Sequence, residues 1–287
     1  MAGTNLRDMN TLAHDPTLIG TGQQPLARRI LNKVPEVTLY FWIIKILCTT
    51  VGETAADYLN VDLGLGLTNT TYAVGALLIL ALAVQFRSNR YVPGIYWTAV
   101  VLISVVGTLI TDNLVDNMGV ALQTTTIVFS IALACTFAIW YTIERTLSIH
   151  SITTYRREAF YWLAILFTFA LGTSAGDLIA ETYGLGFFVS VLIFAASIGA
   201  VALAHFRFKL GAITAFWLAY ILTRPLGASI GDWMSQPSVD GGLGLGTTVT
   251  SFIFLSLILG LVIYLQLSKE DQTPAELIQA EEAKLAA

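Results

Sequence analysis

The segment FWIIKILCTTVGETAAD, Phe41–Asp57, is apolar and of helical length, but it also carries Lys45 and Glu53. It consists of an aromatic residue and Trp, nine residues, Gly, four residues and Asp, a pattern that recurs three times further along the chain. The later copies are Tyr96–Asp112, Tyr161–Asp177 and Phe216–Asp232. Ionisable groups at membrane depth cost about 3 kcal/mol or more each and usually mark function. The repeated segment therefore bears on both the fold and the site.

Composition places these repeats in a membrane. Hydrophobic residues make up 55% of the 287 residues and charged residues 12%, whereas soluble domains have about 25% charged residues. A helical span needs about 20 apolar residues, and the sequence contains eight such stretches. The predicted spans are 36–58, 66–86, 93–114, 120–142, 158–180, 185–205, 211–233 and 245–267.

Each copy contains two predicted spans, so all four copies have the same orientation. Parallel repeats are related by an axis along the membrane normal. The sequence therefore predicts an all-α integral membrane fold of eight transmembrane helices, built as four tandem parallel two-helix repeats. Glycines between the two spans predict a tight helical hairpin for each repeat. The repeats cover about 33–90, 91–147, 155–209 and 210–268, within a membrane domain of residues 33–268.

The flanks and loops predict the topology. Residues 1–32 are predicted to be a disordered head and residues 269–287 a tail. Every Lys and Arg outside the spans lies on one side of them, and the four opposite loops contain neither residue. The positive-inside rule then puts both termini in the cytoplasm. The Trp of each copy would lie near the cytoplasmic interface, where such residues form anchoring aromatic belts.

A polar stripe runs along the first helix of each repeat, because residues four apart share one helix face. In the first copy this stripe is Lys45, Thr49, Glu53 and Asp57. Lipid cannot satisfy such groups, so the stripes should face protein. If the repeats surround one axis, their four Asp residues meet near its outer mouth. These residues are Asp57, Asp112, Asp177 and Asp232.

Rings of carboxylates attract cations, and oxygen ligands suit Mg²⁺, Ca²⁺ or Mn²⁺. Glu53 and the four repeated Asp residues are therefore the predicted metal ligands. Thr49, Arg224 and Lys45 complete the predicted ion pathway. Asp116 and Glu181 are predicted secondary outer acids. The alternative for each Asp is a structural one, in which it caps the following loop by accepting backbone N–H bonds.

Lys45, Glu53 and Arg224 break the fourfold pattern. Glu53 stands where the other copies have Thr or Ala, and Arg224 lies one turn further into the membrane. If the first and fourth copies are neighbours, Glu53 and Arg224 form a buried ion pair. Such a pair could be static and fix helix packing. Alternatively, Glu53 carries a proton or ion, and Arg224 or Lys45 sets its charge.

The stretch KVPEVTLYFWIIKILCTTVGETAADYL, with the later copies such as the one that contains LGTSAGD, resembles a family of uncharacterised bacterial multi-pass inner-membrane proteins. The resemblance covers most of residues 33–267. It implies a bacterial inner membrane as the setting, and it implies no activity or site residues.

The sequence has no Gly-rich phosphate loop, no paired His–Cys metal site and no nucleophile–base set, so we do not expect an enzyme. The expected function is a membrane transporter or channel for a cation, either a divalent metal or a proton-coupled ion. The expected partners are membrane lipid and an inorganic cation, without nucleic acid and with no cofactor other than a bound divalent cation. Whether the protein forms a homo-oligomer is left undecided by the sequence. The alternatives are a non-transporting membrane sensor or assembly protein and a permease for a small organic solute.

Overall fold

A computed structural model describes residues 32–272 and 277–278. The predicted head, apart from residue 32, and most of the predicted tail therefore lie outside the described residues. Within the described range the fold is all-α, with eight helices long and apolar enough to cross a membrane. They are α1 (Leu39–Asp57), α2 (Leu67–Arg87), α3 (Pro93–Asp112), α4 (Leu122–Glu144), α5 (Tyr155–Asp177), α6 (Phe187–Phe208), α7 (Ala212–Ser235) and α8 (Thr247–Ser268). The predicted all-helical fold with eight spans is confirmed, and the chain is a multi-pass membrane protein.

The helices form two layers. The first helices of the repeats, α1, α3, α5 and α7, make a closed inner ring in which each contacts the next and α7 contacts α1. In these inner helices 56 to 67% of the most apolar stretch is buried, against 11 to 22% in α2, α4, α6 and α8. The polar stripes therefore lie inside the ring, and the outer helices present apolar side chains to the surroundings.

Each outer helix packs mainly on the inner helix of the following repeat. Helix α2 packs on α3, α4 on α5, α6 on α7, and α8 closes the circle on α1. The two helices of one repeat share few contacts with each other. The expected tight hairpin within each repeat is therefore wrong. Every repeat interlocks with the next one, so the two halves of the chain do not form separate units.

The repeated Gly of each inner helix explains how closely the ring packs. Gly52 lies against Ser104 of α3, and a Cβ atom on Gly52 would come within 1.9 Å of the Ser104 hydroxyl oxygen. The other three glycines make the same contact with the next inner helix, at the residue three positions before that helix's own Gly. These pairs are Gly107 with Phe169, Gly172 with Arg224 and Gly227 with Thr49. Small residues allow such close backbone approach between helices in membranes.

We call the two ends of the ring the Asp end and the Trp end, after the repeated residues near them. At the Asp end, three of the four Asp residues are followed directly by a five-residue π-helical turn. These turns are Tyr58–Asp62, Asn113–Asn117 and Leu178–Thr182. The fourth copy has no such turn, and its longer loop contains a short 3₁₀ helix, Ser238–Asp240. π-Helical turns are rare and often occur at functional sites.

At the Trp end the repeated aromatic residues pack inward. Trp97, Trp162 and Trp217 are at most 5% exposed, and Tyr96 and Tyr161 are fully buried. The two tyrosine hydroxyls are 2.5 Å apart. The expected anchoring belt is therefore wrong for these residues, because they fill the interior of the ring. They close the centre of the ring at this end.

Candidate functional site

Corresponding residues of the four repeats lie at the same height in the inner ring, because the same glycine contact, with the same offset of three residues, recurs at every step around the closed ring. We name three heights by a member residue. The Asp level holds the repeated Asp residues. The Glu53 level, four residues further into the helix, holds Glu53, Thr108, Thr173 and Ala228. The Arg224 level, four residues further again, holds Thr49, Ser104, Phe169 and Arg224.

The four carboxylates of the Asp level share one electrostatic field and make no hydrogen bond or ion pair within residues 32–272. Asp57, Asp112 and Asp177 are half-buried, and Asp232 is 8% exposed. Asp57 interacts electrostatically with each of the other three, and all four interact with Glu53. No side-chain hydrogen bond or ion pair joins any of them to another described residue. The capping alternative is therefore wrong for the described residues.

The predicted metal ligands do not form a chelating cluster. In residues 32–272 no three His, Cys, Asp or Glu side chains come close enough to hold one metal ion. Glu53, Asp57, Asp112, Asp177 and Asp232 therefore share an electrostatic field but no common coordination site. Asp116 and Glu181, the secondary outer acids, are exposed nearby, and their carboxylates add to this field.

Glu53 and Arg224 form the ion pair that the sequence predicts. Glu53 Oε2 lies 2.9 Å from Arg224 Nη2, and the side chains of Glu53 and Arg224 are 8% and 0% exposed. Helices α1 and α7 are neighbours in the ring, which brings the first and fourth repeats together. Two buried charges are stable only when their remaining hydrogen-bonding groups are also satisfied.

Three further groups surround the Arg224 guanidinium. Arg224 Nη2 also donates to the hydroxyls of Thr108 and of Thr173, the latter at 2.6 Å. Arg224 Nη1 donates to the Thr49 carbonyl oxygen at 3.4 Å. One guanidinium of the fourth repeat thus contacts the other three repeats. The hydroxyl of Thr49, a residue of the predicted ion pathway, donates to the carbonyl of Ile46 at 2.7 Å.

The sequence argument did not select Thr108 and Thr173 as site residues. The sequence could have identified them, because both occupy the position in their own repeats that is equivalent to Glu53. A Thr hydroxyl is common in membrane helices, where it usually donates to a carbonyl one turn earlier. Only the position of Arg224 in the folded ring distinguishes these two hydroxyls from the others.

Lys45 lies deeper in the ring and does not pair with a carboxylate. Its Nζ atom donates to Thr223 Oγ1 at 2.7 Å and to the Tyr220 carbonyl at 3.1 Å. The same ammonium lies 3.8 Å from the centre of the Tyr220 ring, a cation–π distance. Lys45 is therefore held by Tyr220 and Thr223, and it makes no direct contact with Glu53.

An apolar groove of about 670 Å³ lies outside the ring, between α1, α6 and α7 near the Trp end. Its walls include Trp42, Ile198 and Phe216, and Thr223 is one of its polar lining residues. None of the repeated Asp residues lines it. The groove is thus separate from the charged centre of the ring.

Comparison with known proteins identifies the repeats but not an activity. No curated protein and no solved structure matches the chain. One family model, described as a Repeat of Unknown Function (DUF347), matches four consecutive segments. They are residues 40–91, 95–146, 160–210 and 215–271, each of which contains one inner and one outer helix. The chain therefore belongs to the DUF347 repeat family, with four tandem copies arranged around one ring.

Proposed function

We propose that this protein is a gated membrane transporter for a cation, with its binding path inside the ring of four inner helices. The observation that carries the proposal is the Asp level: four carboxylates, one from each repeat, that share one electrostatic field and have no hydrogen bond or ion pair within residues 32–272. In a folded protein such groups are normally paired, because an unpaired charge away from water is costly. Four unpaired carboxylates near one another are best explained by a cation that neutralises them.

The proposed orientation follows the distribution of basic residues. The Asp end faces the outside of a bacterial inner membrane, and the Trp end and both termini face the cytoplasm. The Asp level would then collect cations from the outer solution, since rings of acidic side chains raise the local cation concentration. Asp116 and Glu181 extend the same negative field outward.

The cargo would be held by charge and by single oxygen contacts. Without a cluster of three ligands in residues 32–272, a dehydrated metal ion has no protein cage there. A divalent ion that keeps its water molecules, as Mg²⁺ often does, remains compatible with this arrangement. A proton-coupled ion is compatible too, because single carboxylates carry protons.

The gate of the proposed transporter is the Glu53–Arg224 pair. The Arg224 side chain reaches across the ring on the Trp-end side of the Asp level. Fully buried aromatic residues close the ring further toward the Trp end. A positive guanidinium in the path would repel a cation unless the pair opens. The protein would therefore work by gated access and not as a continuously open pore.

A second function, that of a non-transporting assembly or sensor protein, is favoured by one observation. Arg224 contacts all three other repeats and could serve only to hold the ring together. Under this hypothesis the Asp level would be a surface for a cationic partner at the outer face. The two functions differ in whether ions cross the membrane.

The test is ion flux into liposomes that contain the purified protein. Uptake of Mn²⁺, Ca²⁺ and H⁺ is followed for the wild type and for Glu53→Gln and Asp57→Asn. We expect flux in the wild type, loss in Glu53→Gln and reduction in Asp57→Asn. The matched control is Asp240→Asn, which removes the same charge from an exposed loop residue at the Asp end. No flux of any cation from correctly folded wild-type protein would overturn the proposal.

A further inference from the structure

The groups around the Arg224 guanidinium resemble a binding site for a free cation. Four oxygen atoms from the other three repeats surround it: Glu53 Oε2, Thr108 Oγ1, Thr173 Oγ1 and the Thr49 carbonyl. We call these four oxygens the cradle. Thr49, Thr108 and Thr173 are completely buried, and Glu53 retains slight exposure. Glu53 is therefore the member that a solute can reach first.

The chemistry of the cradle selects one kind of cation. It has a single formal negative charge, from Glu53, and three neutral oxygen acceptors. A divalent metal ion would remain undercompensated with one carboxylate, whereas a monovalent cation would be matched. The guanidinium group of Arg224 is planar, and its N–H donors point outward in that plane toward acceptors on different helices of the ring. The Phe169 ring centre lies 5.9 Å from Arg224 Cζ and closes one side of the site.

Arg224 itself does not fit the cradle completely. Its Nε atom is buried and has no hydrogen-bond partner among the described residues. A buried donor without a partner costs about 1–3 kcal/mol. A free guanidinium ion differs at this point, because it is not tethered and can turn its N–H groups toward the available acceptors. Arg224 therefore leaves one of its own donors unpaired when it occupies the site that the other three repeats form.

Space for the arginine side chain comes from Gly172. A Cβ atom there would lie 2.2 Å from Arg224 Cγ, so only glycine lets the side chain reach the cradle along α5. The equivalent neighbours of the other three glycines are Thr49, Ser104 and Phe169, none of them charged. Arg224 is therefore the only charged residue at the Arg224 level, and it comes from the fourth repeat alone.

Asp177 is a second carboxylate that attracts the Arg224 guanidinium. The two groups do not form an ion pair in the observed arrangement, and no other ion pair to Asp177 is present in residues 32–272. If Arg224 turned toward Asp177, Glu53 would lose its partner and the cradle would be open. A cation gathered at the Asp level would then replace the guanidinium without leaving a buried carboxylate unpaired.

We propose that the cradle is a binding site for a guanidinium-type organic monocation, which exchanges with the Arg224 side chain. This inference rests on the proposed function, because the exchange is the step that would open the gate. It names the class of cargo: a small planar cation with several N–H donors. Arg224 acts as a tethered competitor that fills the site when the cargo is absent.

The first experiment measures binding to purified full-length protein in detergent. Thermal unfolding is followed with guanidinium chloride at low millimolar concentration, with equal NaCl and with urea, its neutral counterpart, as controls. Removal of a tethered competitor removes its high effective concentration, so we expect Arg224→Ala to bind guanidinium about tenfold more tightly or better than the wild type. Glu53→Gln in the Arg224→Ala background should abolish the stabilisation. Equal stabilisation by urea, or no guanidinium effect in Arg224→Ala, would overturn the proposal.

Arg224→Ala could fail to fold, so a second variant keeps the arginine. Thr173→Val removes one oxygen of the cradle at nearly constant volume and charge. We expect it to lower the uptake of labelled guanidinium into liposomes severalfold, while Thr126→Val, on the outer helix α4, leaves it unchanged. Unchanged uptake in Thr173→Val would contradict the proposed site.

The two proposals can fail separately. Uptake of Mn²⁺, Ca²⁺ or H⁺ without guanidinium binding or uptake would reject the cradle as the cargo site and leave cation transport standing. Guanidinium binding to Arg224→Ala without flux of any cation would support the cradle and reject transport. In that case the site would serve a sensor or assembly protein.

Discussion

The two ends of the ring differ in whether their carboxylates are paired. At the Trp end every carboxylate in residues 32–272 has a partner; the five pairs are Glu36–His150, Glu144–Arg157, Glu158–Lys33, Glu270–Tyr264 and Asp271–Tyr91. At the Asp end no carboxylate of the same range has a cationic partner, and Asp62 alone has a hydrogen bond, from Thr247. The comparison indicates that charge is paired within the structure at one end and supports the proposal that it is available to a solute at the other.

Glu53 lies between the two ends and shares properties of both. Like the Trp-end carboxylates it has a cation, Arg224, at ion-pair distance. Like the Asp-end carboxylates it interacts with four like charges of the Asp level. A pair under such repulsion is easier to open than an isolated buried pair. This position is what makes Glu53 the proposed point of control.

The largest effect is expected from breaking the buried pair at the Trp end. Lys33 Nζ lies 2.6 Å from Glu158 Oε2, and both side chains are 1% exposed. Lys33→Met would leave Glu158 buried without its cation and lower the free energy of unfolding by about 3–5 kcal/mol. The measurement is unfolding of the purified protein by denaturant titration.

The control for this prediction is the double variant Lys33→Met with Glu158→Gln. It removes both charges, and we expect it to regain most of the lost stability. A loss below about 1 kcal/mol in Lys33→Met, the range of exposed ion pairs, would contradict the structural role of this pair.

A smaller loss of stability is expected when one of the repeated glycine contacts between inner helices is disrupted. In Gly172→Ala the new methyl group would overlap the Arg224 side chain, at a cost of about 1–3 kcal/mol. Gly199→Ala, in the outer helix α6, is the matched control, since nothing lies within 4 Å of its added Cβ atom. The control should keep or gain up to about 1 kcal/mol from helix propensity. Equal losses in the two variants, measured by the same denaturant titration, would argue against close packing at the repeated glycines.

Sequence alone predicted much of this arrangement, and the failures have identifiable causes. Hydropathy defines spans because a membrane requires long apolar helices, so all eight were found. Periodicity brought Glu53 and Arg224 together, because the repeats imposed a common height. The choice of α3 and not α1 as the partner of α2 depends on side-chain packing, which no pattern of apolar residues encodes.

The repeated Trp residues show the same limit at the level of the site. A Trp near a helix end is expected at the membrane interface or in the protein interior, and its sequence position is the same in both cases. Trp97 is buried because the inner ring is enclosed by the outer helices. A shared coordination site is a further step that spacing cannot supply: residues at a common height share a field, but ligation needs distances of about 2–2.6 Å that spacing does not fix.

Tyr91 offers a pH test of the paired end. Burial raises the pKa of Tyr91 above its usual value, and the nearby Asp271 carboxylate, 2.5 Å from the hydroxyl, raises it further. The unfolded chain then loses this proton at lower pH than the folded protein, so stability should fall as pH rises above about 10. Tyr91→Phe should lower stability by about 1 kcal/mol at neutral pH and have a shallower loss above pH 10. Parallel pH profiles for the two proteins, measured by thermal unfolding, would contradict this assignment.

The smallest change in stability, and the clearest contrast, is expected at the Asp end. Asp112 has no hydrogen bond or ion pair to another described residue, and it interacts with the like charges of Glu53 and Asp177. Asp112→Asn removes repulsion without removing a contact, so the free energy of unfolding should stay constant or rise by about 0.5 kcal/mol. Any gain should shrink as salt is added, because ions screen the repulsion between partly exposed charges. Cation uptake into liposomes should nevertheless fall, while Asp240→Asn leaves it unchanged. A loss of stability as large as that of Lys33→Met would mean that the Asp level holds the structure together, and the distinction between the two ends would disappear.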